Sequence, residues 1–140
     1  MKFLAVLPQG RVAEIIEASD FNAALTMVGL RSGRIDFGTI IRRPDNTGIA
    51  YAVYEFGLFV PPDQQHYFSF GSQLVAGNAI MFAFNEHGDE VDMTERVEIT
   101  WYANVEEIEL AIAAGKIERP MTVMNGAVLW QWPEPRVIPR

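Results

Sequence analysis

The sequence predicts an α+β protein, a mainly antiparallel sheet of about eight strands with two helices packed on one face. Three observations carry that prediction. Short apolar or alternating runs recur along the chain, each bounded by Pro, Gly or Asn, as strands and their turns require. Two stretches, 20–29 and 104–115, instead space their apolar residues three and four apart. Those stretches follow strands near opposite ends of the chain, so the helices are segregated from the sheet and do not alternate with parallel strands.

Each element has its own warrant. Lys2 to Leu7 is an apolar run ended by Pro8-Gln9-Gly10, and Arg11 to Glu17 alternates after it, which reads as a hairpin. Ser19 or Asp20 can cap a helix bearing Phe21, Ala24, Leu25 and Val28, which Gly29 or Gly33 can close. Ile35, Phe37, Thr39 and Ile41 share one side of a strand, Pro44 to Gly48 is a turn, and Ile49 to Phe56 returns. Residues 57–77 read as an ordered loop with one short helix or strand, because Pro61-Pro62 blocks regular pairing and Gln64-Gln65-His66 is polar. Asn78 to Phe84 is a strand, Glu86 to Asp89 a turn, and Glu90 to Thr94 its return. Val97 to Tyr102 alternates as a half-buried strand. Asn104 with Glu107 three residues later is a capping box for a helix carrying Val105, Ile108, Ala111 and Ile112, stopped by Gly115. Met121 to Met124, Asn125-Gly126 and Ala127 to Trp132 form a second hairpin, since Asn-Gly fits the tightest hairpin turn. With no repeat and no linker, residues 1–140 read as one domain ending in an extended Pro-rich tail, 133–140.

Composition bounds the function. At 140 residues, 49% hydrophobic and 21% charged, the chain has the make-up of a folded domain and not of a disordered tail. It has no Cys, which excludes disulfides, thiolate zinc sites and a cysteine nucleophile. No stretch reaches the ~20 apolar residues of a membrane span, and the N-terminus has too short an apolar run before Pro8 for a signal peptide. A soluble intracellular protein is expected.

The net charge of −7 is unevenly placed: residues 1–50 carry +1, 51–119 carry −9 and 120–140 carry +1. Glu86, Asp89, Glu90, Asp92, Glu95, Glu98, Glu106, Glu107 and Glu109 crowd together with Arg96 alone among them. Such a field disfavours direct contact with nucleic acid or anionic membranes and favours a basic protein partner. Acidic surfaces also serve plain solubility.

Motifs for chemistry are absent. Phe70-Gly71-Ser72-Gln73-Leu74 fails the nucleophile-elbow pattern, no glycine-rich phosphate loop occurs, and His66 and His87 are not spaced as a ligand pair. The acids around His87 lack calcium-loop spacing, so neither a metal nor another cofactor is expected. A nucleotide-like ligand needs only aromatic rings and arginines. Arg34, Arg42 and Arg43 with His66, Tyr67 and Phe68 are the candidates for such a pocket, beside the competing reading that the aromatics are core. Arg31 is also available, as is Phe70. Trp130 and Trp132 share one strand face, with Trp101 a candidate neighbour; they are either core or an interface platform, and a tail swapped between copies would make a homodimer.

Three stretches together resemble a family of small, functionally uncharacterised proteins of bacteriophage and mobile-element genomes. They are Leu25-Thr26-Met27-Val28-Gly29 with Arg34-Ile35-Asp36, then Glu55-Phe56-Gly57-Leu58, then Gly77-Asn78-Ala79-Ile80 leading to Asn85-Glu86-His87-Gly88-Asp89. The resemblance covers about residues 1–95, through hydrophobic pattern and glycine placement, and the C-terminal third departs from it. It implies a phage accessory protein in the cytoplasm of a bacterial host, and it lends no catalytic residue. The leading expectation is therefore a non-enzymatic protein that binds and inhibits a host factor, such as an anti-phage defence protein. Glu86, Asp89, Glu90, Asp92, Glu95, Glu106, Glu107 and Glu109 would form its nucleic-acid-mimicking face. The alternative is a binder that sequesters a nucleotide signal in the arginine and aromatic pocket.

Overall fold

The computed structural model describes residues 1–55, 57–60, 64–124 and 127–131, and the side chains of 121–131 lie outside that description, as does that of Phe59. Among the described residues the chain forms eleven strands and two α-helices. The largest sheet has the order β2-β1-β7-β4-β3, where β1 is Lys2–Leu7, β2 Val12–Glu17, β3 Ile35–Arg42, β4 Gly48–Tyr54 and β7 Ala79–Phe84. A sixth strand, β8 (Glu90–Val91), pairs the end of β7. A second sheet has the order β6-β5-β9, with β5 Tyr67–Phe70, β6 Gln73–Ala76 and β9 Thr100–Tyr102. The hairpin β10 (Met121–Met124) and β11 (Ala127–Gln131) forms a separate two-stranded sheet. All the pairings are antiparallel.

Side-chain alternation explains how the layers stack. Along β1, Phe3 and Ala5 point to one face and Leu4 and Val6 to the other. Phe3, Ala5, Ala52 and Ile80 form a core with Ala24, Leu25 and Val28 of helix α1 (Phe21–Met27). Leu4, Val6, Ile49, Met81 and Ala83 pack instead against Phe68, Phe70 and Val75 of the second sheet. The other face of that sheet, Tyr67, Leu74 and Ala76, meets Ile108 and Ala111 of helix α2 (Val105–Ala113). The layers run α1, large sheet, small sheet, α2.

The α+β class is as predicted, and the arrangement within it differs. The single sheet is divided into three, and the helices cover the two outer faces of a sheet pair instead of sharing one face. The pair of sheets also explains why 57–77 reads as a loop in the sequence. Tyr67, Phe68, Ser69 and Phe70 are all buried, so β5 shows no polar–apolar alternation. The segment holds a 3₁₀ turn (Gly57–Phe59) and a full hairpin whose two-residue turn begins with Gly71 at φ +51. Val97 to Ile99 is not strand, although both residues pack onto the core between the sheets, and β9 begins at Thr100. Trp101 packs on Phe68 with centroids 6.2 Å apart, in a different sheet from β11. The expectations for the Asn125-Gly126 turn, the side chains of Trp130 and Trp132, and the tail 133–140 lie outside the described residues.

Capping follows the sequence closely. Asp20 caps α1 by accepting from the Ala23 amide at 2.8 Å, and backbone bonds from Gly29 to Thr26 and Leu30 to Leu25 close it. Asn104 accepts from the Glu107 amide at 3.0 Å while the Glu107 carboxylate accepts from the Ala103 amide at 2.7 Å.

Candidate functional site

A cleft of about 660 Å³ lies where the C-terminus of α1 meets the segment before β5. The fold brings five separated pieces of chain to it. The β1–β2 turn contributes Gln9, and the end of α1 contributes Val28, Gly29 and Leu30. Arg31, Arg34 and Tyr54 come from the approach to β3 and the end of β4, and Gln64, Gln65, His66, Gly77 and Asn78 from either side of the β5–β6 hairpin.

Local structure holds the two arginines near one another in the chain, and both line the cleft. Ser32–Arg34 is a 3₁₀ turn preceded by Arg31 in extended conformation, and the Arg34 amide donates to the Arg31 carbonyl at 3.0 Å. The turn is tied to the sheet by the Glu55 amide, which donates to the Arg34 carbonyl at 3.0 Å. The Arg34 guanidinium also reaches the Glu55 carboxylate at 3.3 Å, an exposed pair of modest worth. Opposite, Asn78 donates its amide to the Val28 carbonyl at 2.9 Å, and the Gly77 amide donates to the His66 carbonyl at 2.8 Å. The first of these bonds occupies one helix-end carbonyl that would otherwise oppose an anion.

No carboxylate lines this cleft among the described residues. Two further clefts, of about 590 and 500 Å³, flank the segment before β9; the first is lined by Glu14, Glu95 and Glu98 with Arg11 and Arg96, the second by Glu98 with Arg96. Of the three, only the first-described cleft has arginines without a carboxylate among its described lining residues.

Of the sequence-derived ligand candidates, the structure brings Arg34 and His66 together in this cleft. It does not bring the others. Tyr67 and Phe68 are 4% and 0% exposed, Tyr67 facing α2 and Phe68 filling the space between the sheets. Arg42 lies over the Phe84 ring, 5.1 Å from its centroid, and Arg43 pairs with Glu95 at the far end of β3. The aromatic ring in the cleft is Tyr54, which reads in the sequence as the end of an ordinary strand. Gln9 reads as a turn residue and Asn78 as the start of a strand. No local pattern in the sequence marks these three as neighbours, because they meet only through the fold.

The acidic candidates fall on two elements in different layers. Glu86, Asp89, Glu90, Asp92 and Glu95 lie in and after the β7–β8 turn, and Glu106, Glu107 and Glu109 lie on α2. Several have structural partners. Asp92 accepts from the Lys2 amide at 2.9 Å, Glu95 pairs with Arg43, Glu107 accepts from the Ala103 amide, and Glu109 takes both guanidinium nitrogens of Arg119 at 3.0 and 2.7 Å. The Glu109 hydrogen bond holds the Arg119 pKa above its ordinary value. Glu86 sits 3.5 Å from the His87 ring. Asp89, Glu90 and Glu106 are exposed and make no ion pair among the described residues.

No group of three or more His, Asp or Glu among the described residues is placed to hold a metal ion. No helix is long and apolar enough to cross a membrane, among the same residues. Comparison of the chain with protein-family models, with curated protein sequences and with solved structures finds no match.

Proposed function

We propose that this chain acts by binding a small anionic molecule in the cleft between α1 and the β5–β6 hairpin. The observation that carries this reading is that Arg31 and Arg34 both line a cleft with no carboxylate among its described lining residues, within a chain of net charge −7. The volume of about 660 Å³ falls in the usual range for small-molecule sites, about 300–1,000 Å³. In the setting that the sequence resemblance implies, a phage accessory protein of this kind would sequester a host small-molecule signal without chemistry on it.

The test is calorimetric titration with inorganic phosphate and pyrophosphate, alongside thermal melting. Pyrophosphate should bind and raise the melting temperature by mass action. Arg31→Ala and Arg34→Ala should each weaken it about 10-fold or more, because hydrogen bonds to charged groups contribute about 1.5–3 kcal/mol. Neither variant should lose more than about 1 kcal/mol of stability, since both side chains are exposed. Pyrophosphate affinity unchanged in the double variant would refute the reading.

A second reading, docking on a basic host protein, is favoured by the exposed carboxylates of Asp89, Glu90 and Glu106. It has its own signature. Capture of a basic protein from host lysate should be lost at high salt. It should also be lost in an Asp89→Lys, Glu90→Lys variant that still melts normally. Capture that survives both changes would exclude this face.

A further inference from the structure

Building on the reading of the cleft as an anion site, we infer that its ligand is a nucleoside phosphate, held with the phosphate on Arg31 and Arg34 and the base against Tyr54, Gln65 and Asn78. An inorganic anion would need the arginines alone. The cleft also carries four carboxamides, Gln9, Gln64, Gln65 and Asn78, drawn from three separate parts of the chain. A carboxamide offers one donor and one acceptor group, the pairing that a nucleobase edge presents in return.

Two of these amides are already oriented. The Gln65 carbonyl oxygen accepts from the His66 amide at 3.0 Å, which fixes Nε2 as the donor side of this amide. Asn78 commits Nδ2 to the Val28 carbonyl at 2.9 Å, which leaves Oδ1 as the acceptor. Gly77 lies between them in space and keeps room for the Gln65 amide, since a Cβ there would meet its nitrogen at 3.3 Å. The cleft therefore presents a donor on Gln65 and an acceptor on Asn78 from a pre-organised wall.

Tyr54 supplies a face for the base. It lines the same cleft and the residue is 39% exposed. Stacking on an aromatic ring is tolerant of base identity and strengthens binding about 10-fold or more per base. On binding, the phosphate would take the place of the Glu55 carboxylate at Arg34, a side chain that is 63% exposed and so able to turn.

A sugar phosphate shares the phosphate and hydroxyl chemistry, so the experiment separates the two. Calorimetric affinities are measured for inorganic phosphate, ribose 5-phosphate, adenosine 5′-monophosphate and uridine 5′-monophosphate with the full chain. The expected result is that at least one nucleotide binds about 10-fold or more tighter than ribose 5-phosphate. Tyr54→Ala should remove that difference while leaving the affinity for ribose 5-phosphate unchanged. Gln65→Met, which keeps a long uncharged side chain, should do the same in part and serves if Tyr54→Ala does not fold. Equal affinities for ribose 5-phosphate and both nucleotides would overturn the nucleoside assignment and leave the anion site standing. Absence of binding by all four probes, together with no pyrophosphate binding, would overturn both.

Discussion

Replacing Phe68 with alanine is expected to lower the stability of the chain by about 4 kcal/mol, because truncating a buried Phe costs about 3–5 kcal/mol. Phe68 is 0% exposed and sits between the two sheets, against Trp101 on one side and within the cluster of Leu4, Val6, Ile49 and Met81. Its removal forfeits the transfer free energy of the ring and leaves a void that two hydrogen-bonded sheets cannot close. Set against a typical total of about 5–15 kcal/mol, that is a large fraction of the fold's stability. Urea titration should show a lower midpoint at unchanged slope. Met81→Ala removes a side chain from the opposing sheet in the same cluster, so the double variant should cost less than the sum of the two single changes. Strict additivity, or a loss for Phe68→Ala below about 1 kcal/mol, would mean that the sheets do not close on one another through this ring.

Gly48→Ala is expected to destabilise by about 3 kcal/mol, the upper part of the range for overpacking. Gly48 opens β4 opposite Arg42, and a Cβ there would collide with the carbonyl oxygen of Ile41 and come within 2.6 Å of the Phe84 ring. The first of these neighbours is backbone. It is held close by the irregular register between Thr39 and Ile41, which advances β3 by one residue relative to β4. The clash therefore cannot be relieved by turning a side chain, and the sheet must shift. Gly33→Ala is the control, since nothing lies within 4 Å of its Cβ position, and its stability should stay within about 0.5 kcal/mol of the parent. Thermal melting of both variants decides the matter, and a Gly48→Ala melting temperature equal to that of Gly33→Ala would contradict the close approach.

The legible parts of the fold are those in which one face of an element is wet. β1 and β2 pair through the turn at Pro8-Gln9-Gly10, and α1 starts at Asp20 and α2 at the Asn104 cap, as their residues indicate. The Glu107 carboxylate reaches one residue further back than a capping box, to the Ala103 amide. β5 and β6 were the least legible, because strands buried on both faces lose the alternation that marks a strand. The same burial conceals in the sequence which rings are core. Tyr67 and Phe68 read as rings free to stack beside the polar Gln64-Gln65-His66, and they are core. Arg34 and His66 were visible as candidates through their chemistry, and Tyr54 was not, because nothing local distinguishes a strand-end tyrosine that lines a cleft from one that does not.

By itself the sequence determined the α+β class, the hairpins β1–β2 and β3–β4, the helix N-caps and the concentration of negative charge in the middle of the chain. These follow from interactions between residues a few positions apart, in which turn chemistry, capping and periodicity act. Tertiary structure alone decided that the sheet splits into two packed layers, that the helices take opposite outer faces, and that Arg31, Arg34, Tyr54, Gln65 and Asn78 share a cleft. Those outcomes depend on which apolar faces meet across the fold, and the pairing of β1 with β7, residues some eighty positions apart, is what draws the pieces together. Long-range burial is a property of the assembled chain, and no window of sequence contains it.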